Sequence, residues 1–278
     1  MLWRCGQRLI DLRRPIVMGI LNVTPDSFSD GGRFADPDAA FVRAADLVAQ
    51  GAAIVDVGGE STRPGAEAVD PEVEIRRVVP VIERIARDLD VAVSIDTSKP
   101  AVMAEAVAAG ACIVNDVYAL RAPGAREFAA AAGVGVCLMH MQGEPRTMQA
   151  APSYVDVVRE VAEFLDAERR RCVGAGIAPD AIAVDPGIGF GKRLRDNLDL
   201  LRGLPALVAL GAPVLVGVSR KSLIGRVLGR EPGERLYGGL GLASFAVAAG
   251  ARIVRTHDVA PTHDAIRMVD AVMQGAEQ

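Results

Sequence analysis

The sequence predicts a single-domain (β/α)₈ TIM barrel with its active site at the C-terminal face of the strands. Three observations predict it. First, eight short apolar runs recur along the 278 residues: 16–21, 52–55, 91–95, 111–114, 134–139, 181–184, 213–218 and 251–254. Continuous runs of this length suit strands buried on both faces, as in parallel sheets. Second, each run stops at a hydrogen-bonding residue: Asn22, Asp56, Asp96, Asn115, His140, Asp185, Ser219 and Arg255. A barrel places its chemistry at those strand ends. Third, helix-like segments alternate with the runs without a break, so no domain boundary is expected within residues 16–278.

The elements follow in order. Residues 1–15 read as a polar lead-in, with a small hairpin at the barrel floor as one option. Asp38–Gln50 carries Phe41, Val42, Leu47 and Val48 at helical spacing, and Gly51 provides a stop. Asp70–Asp88 spaces Val73, Ile75, Val78, Val79, Ile82 and Ile85 among charges. Pro100–Ala109 ends at Gly110, and Ala125–Ala132 ends at Gly133. Tyr154–Val173 is a long charged helix. Asn197–Gly203, Ser222–Leu228 and Ala260–Met273 complete the predicted helices. Two strand-to-helix connections, Val23–Pro37 and Gly58–Asp70, are longer than a barrel needs. Their Gly, Pro, Ser and Thr content and their place on the C-terminal face mark them as lids or binding loops.

Composition narrows the function classes. Half of the chain is hydrophobic but only 4% is aromatic, so aliphatic side chains must do the packing. The net charge of −4, from 31 basic and 35 acidic residues, gives no electrostatic reason to expect nucleic acid or an anionic membrane. The N-terminus lacks an apolar signal core, and no stretch approaches the ~18 apolar residues of a membrane span. A soluble, cytoplasmic protein is expected. Cys5, Cys112, Cys137 and Cys172 lack C-x-x-C spacing and are expected to be reduced core thiols.

Asp96, Asn115 and Asp185 end strands three, four and six. Two carboxylates and an amide around one mouth suit a ligand rich in N–H donors, because a carboxylate accepts two parallel bonds from a guanidine-like edge. Lys221 and Arg255 would add donors for a carbonyl or an anion. Arg255-Thr256-His257 and Ser219-Arg220-Lys221-Ser222 follow the last two strands, where such barrels cradle phosphates. Two cations at a helix start oppose its dipole, and a bound anion would explain them. Asp56 is expected to brace the first loop or the anion site. The three histidines are scattered, which argues against a zinc site. A magnesium ion held partly by a diphosphate and one Asn oxygen remains compatible. Gly187–Gly191 suits close backbone approach to a flat ring better than a dinucleotide.

The segment Ile20–Gly32, with Asn22-Val23-Thr24-Pro25-Asp26-Ser27-Phe28-Ser29-Asp30, resembles a signature of the dihydropteroate synthase family. So do Asp56–Gly65, Ser94–Thr97, Asn115–Val117, Asp185–Phe190, Gly217–Lys221 and Arg255–His257. The resemblance runs from about residue 16 to the C-terminus, with the motifs in the family's order. It implies condensation of 6-hydroxymethyl-7,8-dihydropterin diphosphate with 4-aminobenzoate, giving dihydropteroate and diphosphate. By motif, Asp96, Asn115, Asp185 and Lys221 would hold the pterin, with Val117, Met139, Phe190 and Gly217 lining its slot. Arg255 would cover the ring and, with Asn22, Thr62 and His257, face the diphosphate. Asn22 would also contact Mg²⁺. Phe28, Arg63, Pro64, Ser219 and Ser222 would shape the aminobenzoate site. Asp30 would steady a pterin cation, and a homodimer is implied.

Two other enzyme classes use comparable barrels. A methyl-transfer barrel would lack the aminobenzoate features Arg63-Pro64 and Ser219–Ser222. An aldolase would need a Schiff-base lysine ending a strand, whereas Lys99 and Lys192 lie in connections and Lys221 opens a helix.

Overall fold

The computed structural model describes residues 1–24, 36–61, 68–144 and 147–275. Strands β1 (Leu2–Cys5) and β2 (Arg8–Asp11) form an antiparallel hairpin. Eight parallel strands follow: β3 (Ile16–Asn22), β4 (Ala52–Gly58), β5 (Ala92–Asp96), β6 (Ile113–Asp116), β7 (Gly135–Met139), β8 (Ile182–Asp185), β9 (Leu215–Gly217) and β10 (Ile253–Thr256). β10 pairs with both β9 and β3. A parallel bridge between Val184 and Val214, beside a 2.9 Å bond from Val184 N–H to the Pro213 carbonyl, joins β8 to the start of β9 and closes the ring. Closure removes the edges of the eight-stranded sheet.

The surrounding helices are α1 (Pro37–Ala49), α2 (Pro71–Asp88), α3 (Pro100–Ala108), α4 (Ala125–Ala132), α5 (Val157–Gly174), α6 (Leu194–Arg202), α7 (Leu204–Val208), α8 (Ser222–Leu228), α9 (Leu236–Ala248) and α10 (Val259–Gln274). Asp36 and Asp70 cap α1 and α2, each accepting a backbone N–H while a proline occupies the first turn. A carboxylate cap followed by proline is a strong start signal. α5 begins at Val157 rather than Tyr154, because Asp156 caps it by accepting from Arg159 N–H at 3.1 Å. Similarly, α6 begins at Leu194, before the expected Asn197.

Periodicity gave no sign of α9. Its sequence LYGGLGLASFAVA is apolar nearly all round and holds three glycines, so no amphipathic stripe stands out. Packing explains one of them. A Cβ on Gly238 would stand 2.4 Å from Ile224 Cγ2, so the missing side chain lets α9 approach α8.

Inside the ring, side chains alternate with the period of two that strands impose. The lowest inward layer takes one residue from each strand: Met18, Ile54, Ala92, Ile113, Cys137, Ala183, Leu215 and Ile253. Trp3, Cys5 and Leu12 cover this layer from below, and Trp3 Nε1–H donates to the Ala181 carbonyl at 2.9 Å. The hairpin thus plugs the floor. Outward-facing residues such as Val55, Ile95, Val114, Leu138 and Val216 pack against the helices in the larger outer core. Among the described residues, no helix is long and apolar enough to cross a membrane.

Candidate active site at the barrel mouth

Counting two residues upward from the apolar layer changes its chemistry. The next layer is Ile20, Asp56, Ser94, Asn115, Met139, Asp185, Gly217 and Arg255. Two further on come Asn22, Gly58, Asp96, Val117, Met141, Gly187, Ser219 and His257. The expected site residues therefore fall at one end of the barrel as a consequence of register. A cavity of about 480 Å³, counted to its open mouth, is lined by Ile20, Asp96, Asn115, Val117, Met139, Asp185, Phe190, Gly217, Ser219, Lys221, Arg255 and His257.

Ion pairs cross the mouth. Arg255 Nε donates to Asp56 Oδ2 and Arg255 Nη2 to Asp96 Oδ2, both at 2.6 Å. Asn115 Nδ2 donates to the same Asp56 oxygen at 3.1 Å. Asp56 thus orients both Asn115 and Arg255 from below. Sequence reasoning gave it only a bracing role, and counting back by two from Gly58 would have shown that it faces inward. The other oxygens, Asp56 Oδ1 and Asp96 Oδ1, are buried and have no hydrogen-bond partner among the described residues. An unpartnered buried carboxylate oxygen is costly, and a ligand N–H would relieve that cost.

Burial pushes Asp96 up to about 7, with Arg255 opposing the rise. It also raises Asp185, against the Gly187 N–H that donates to Asp185 Oδ1 at 2.7 Å and the nearby Lys221 charge. Lys221 is lowered by burial to about 8, although Asp185 attracts its charge. Its Nζ donates to the Ile188 carbonyl and stands 4.3 Å from the Phe190 ring centroid. Burial also disfavours the Arg255 charge, but Asp56 and Asp96 outweigh it and raise the group.

On the cationic side, Ser219 Oγ lies 3.0 Å from His257 Nδ1 and accepts from His257 N–H at 3.2 Å. The expectation for Arg220 needs correction. Its guanidinium donates to Asp258 at 2.6 and 3.2 Å, so a carboxylate of the protein answers its charge without a bound anion. Ser222 is exposed and opens α8. Asn22 ends β3, half-buried, and its Oδ1 lies 3.9 Å from where a Cβ on Gly58 would stand. Phe28, Asp30, Thr62, Arg63 and Pro64 lie outside the described residues.

Two buried groups next to the mouth had no role in the sequence reading. Asp116 accepts from Tyr118 and Leu120 N–H, both at 2.8 Å, and holds a turn in which Ala119 and Leu120 adopt positive φ. Burial raises Asp116 to about 6 against those bonds. Lys192, buried in the β8–α6 connection, reaches His140 and the Gly187 backbone.

Residues 18–257 match the family described as pterin binding enzymes. The dihydropteroate synthase of Escherichia coli strain K12 is 51% identical over 268 residues, covering 96% of this chain and 95% of that one. This chain belongs to the dihydropteroate synthase family. Solved members agree over the whole barrel. The Yersinia pestis dihydropteroate synthase in a sulfonamide drug complex superposes with a TM-score of 0.94 at 47% identity, covering 99% of this chain and 100% of that one. The Xanthomonas albilineans dihydropteroate synthase with 4-aminobenzoic acid gives 0.93 at 48% identity, covering 99% of both chains. The activity is that of a dihydropteroate synthase, a transferase of folate biosynthesis.

Proposed function

We propose that the two upper layers of the barrel interior divide the reaction between them. Asp185, Asn115 and Asp96 read the N–H edge of 6-hydroxymethyl-7,8-dihydropterin diphosphate, and Lys221 donates to the ring from the opposite side. Val117, Met139, Phe190 and Gly217 form the slot. The observation that carries this reading is the unpartnered Asp96 Oδ1 in a cavity that also holds Asp185 and Lys221. Arg255 and His257, with Asn22 and Thr62, take the diphosphate. Phe28, Arg63, Pro64, Ser219 and Ser222 shape the place of 4-aminobenzoate, a ligand that the Xanthomonas albilineans enzyme was solved with.

The donor set fits magnesium. Asn22 offers a hard carboxamide oxygen, which with Asp96 Oδ2 flanks the Gly58 backbone. Among the described residues no three His, Cys, Asp or Glu side chains are grouped to hold a metal. When bound, Mg²⁺ would neutralise charge on the diphosphate.

The displacement is dissociative in this reading. The bond from the pterin methylene carbon to the diphosphate oxygen breaks, and both electrons leave with the diphosphate. Arg255 and His257 stabilise the growing negative charge. The methylene cation is spread into the ring and is steadied by Asp30. The neutral amine of 4-aminobenzoate then forms the new C–N bond and loses a proton to solvent, so positioning matters more than a strong base. Exposed Tyr237, Phe245, Met268 and Val272 on α9 and α10 support a homodimer through those helices. Four free thiols, Cys5, Cys112, Cys137 and Cys172, suit a reducing cytoplasm.

The test is diphosphate release and dihydropteroate formation by the purified chain, with Mg²⁺ and with or without 4-aminobenzoate, in wild type and two variants. Asp185→Asn should lose pterin affinity. Asp30→Ala should lose turnover far more than pterin affinity. Equal losses for Asp30→Ala would reduce Asp30 to a structural loop residue.

A further inference from the structure

Lys192 sits at the start of no strand, ends none, and takes no part in the chemistry above, yet it is 2% exposed. Its Nζ lies 2.9 Å from His140 Nδ1 and donates to the carbonyls of Gly187 at 2.9 Å, Phe190 at 3.0 Å and His140 at 3.3 Å. All four partners can accept, one more than the three N–H bonds of an ammonium, so the cage suits a donor whose N–H bonds are turned inward at the backbone. Burial lowers Lys192 to about 7, with Asp185 opposing the drop. His140 must then be neutral, with its Nδ1 lone pair facing the lysine. Burial supports this, lowering His140 to about 3, with the Lys192 charge adding to the drop. Lysine is among the residues least often fully buried unless paired, and here the hydrogen-bond partners are backbone carbonyls and His140, while Asp185 and Asp196 favour its charge from further away.

The caged backbone is the connection from β8 to α6, and Ile188 anchors it in the core. Asn197 Oδ1 accepts from Gly189 N–H at 2.6 Å and the Tyr154 hydroxyl donates to the Gly191 carbonyl at 2.7 Å, while Lys192 is the donor to the Gly187 and Phe190 carbonyls. Gly187, Gly189 and Gly191 all adopt positive φ. A Cβ on Gly187 would stand 1.9 Å from the His140 carbonyl, and one on Gly191 would stand 2.3 Å from the Gln142 carbonyl. The loop therefore lies directly on the backbone after β7, with carbonyls from both segments turned toward one buried point. Without the Lys192 amino group there, those carbonyls would face each other with no donor between them.

The same loop carries two of the contacts that orient Lys221: the Ile188 carbonyl that its Nζ binds and the Phe190 ring beneath it. It also carries the Gly187 N–H that binds Asp185. We propose that Lys192 is a positioning residue: its amino group acts as a buried shared donor that gathers the His140, Gly187 and Phe190 carbonyls and thereby sets Phe190, Lys221 and Asp185 for the pterin ring. The inference rests on the reading of that cavity as the pterin slot.

The experiment measures the affinity of purified wild type, Lys192→Met, Lys192→Ala and Asp185→Asn for 6-hydroxymethylpterin by calorimetry, with thermal midpoints and the KM for 4-aminobenzoate alongside. Lys192→Met should weaken pterin binding by about tenfold to a hundredfold, the scale expected when a site is slightly misplaced. The aminobenzoate KM should change little. Methylammonium should restore part of the pterin affinity to Lys192→Ala and leave Asp185→Asn unaffected. Pterin affinity within twofold of wild type in Lys192→Met, with only a lower thermal midpoint, would overturn the proposal, as would absence of rescue by methylammonium in a folded Lys192→Ala. If neither lysine variant folds, His140→Phe decides: it removes one acceptor and should still weaken pterin binding, and an unchanged affinity rejects the role. Unchanged affinity in Asp185→Asn would instead reject the pterin-slot reading itself.

Discussion

The floor and the mouth of this barrel are made by the same strands, two residues apart, and they share almost no chemistry. At the floor every inward position is apolar, from Met18 to Ile253, and Trp3 seals it. At the mouth the inward positions include Asp56, Asn115, Asp185 and Arg255, and two carboxylate oxygens are left without a partner among the described residues. The floor meets the rules of good packing, while the mouth breaks them within one molecule. A fold can keep an unsatisfied, charged cavity only where a separate region supplies the stability, and here that region is the layer beneath.

Four substitutions put this contrast to the test. The largest effect is expected from Trp3→Ala, which opens a cavity under the lowest layer and should cost about 3–5 kcal/mol of stability in denaturant titrations. The folded fraction should still bind pterin normally; a matching loss of affinity would mean that floor and mouth are coupled. Next, Asp185→Ala should lower kcat/KM for dihydropterin diphosphate by about a hundredfold and cost about 1–3 kcal/mol of stability, because the Gly187 N–H loses its acceptor. A small loss of kcat/KM beside that loss of stability would make Asp185 a structural residue. Asp56→Asn tests the boundary between the regions, because Asp56 holds both Asn115 and Arg255. It should lose about 1–2 kcal/mol of stability and roughly tenfold in kcat/KM, so that both readouts move together. The smallest effect belongs to Arg4→Ala. Its pair with Asp180 at the rim of the floor is about half exposed, so neither stability nor turnover should change measurably.

The pH profile of kcat/KM offers a further check on the mouth. Asp96 must be ionised to accept from the pterin, and burial places it at about 7, so activity should rise through that region. Lys221 must be protonated to donate, and burial places it at about 8, so activity should fall above it. Both limbs describe the free enzyme. Lys221→Arg should remove the alkaline limb, since a guanidinium keeps its proton, although its fork cannot reproduce the lysine's geometry. An alkaline limb retained in that variant would assign it to another group.

Much of this was legible without coordinates. The apolar runs end in polar residues because a strand buried on both faces can afford hydrogen-bonding side chains only where it emerges from the core. Asp96, Asn115, Asp185 and Arg255 could therefore be picked out one by one. Less legible was α9, whose glycines and uniform apolar content hide any stripe until α8 is seen packed against Gly238. Arg220 was misjudged for a related reason. Its partner Asp258 is 38 residues away, and nothing local announces the pair.

By itself the sequence determined the alternation of strands and helices, the end of the barrel that carries the polar groups and, through long ordered motifs, the family. These are properties of local pattern, and local pattern survives without a fold. Tertiary structure alone decided which oxygen of Asp56 serves both Asn115 and Arg255, which oxygen of Asp96 is left open, and that Lys192 is enclosed by the His140, Gly187 and Phe190 carbonyls. Each of these depends on residues far apart in the chain, or on the path of a glycine turn, meeting within 3 Å or so of one another. Ring closure and strand register fix such meetings, and no window of sequence contains them.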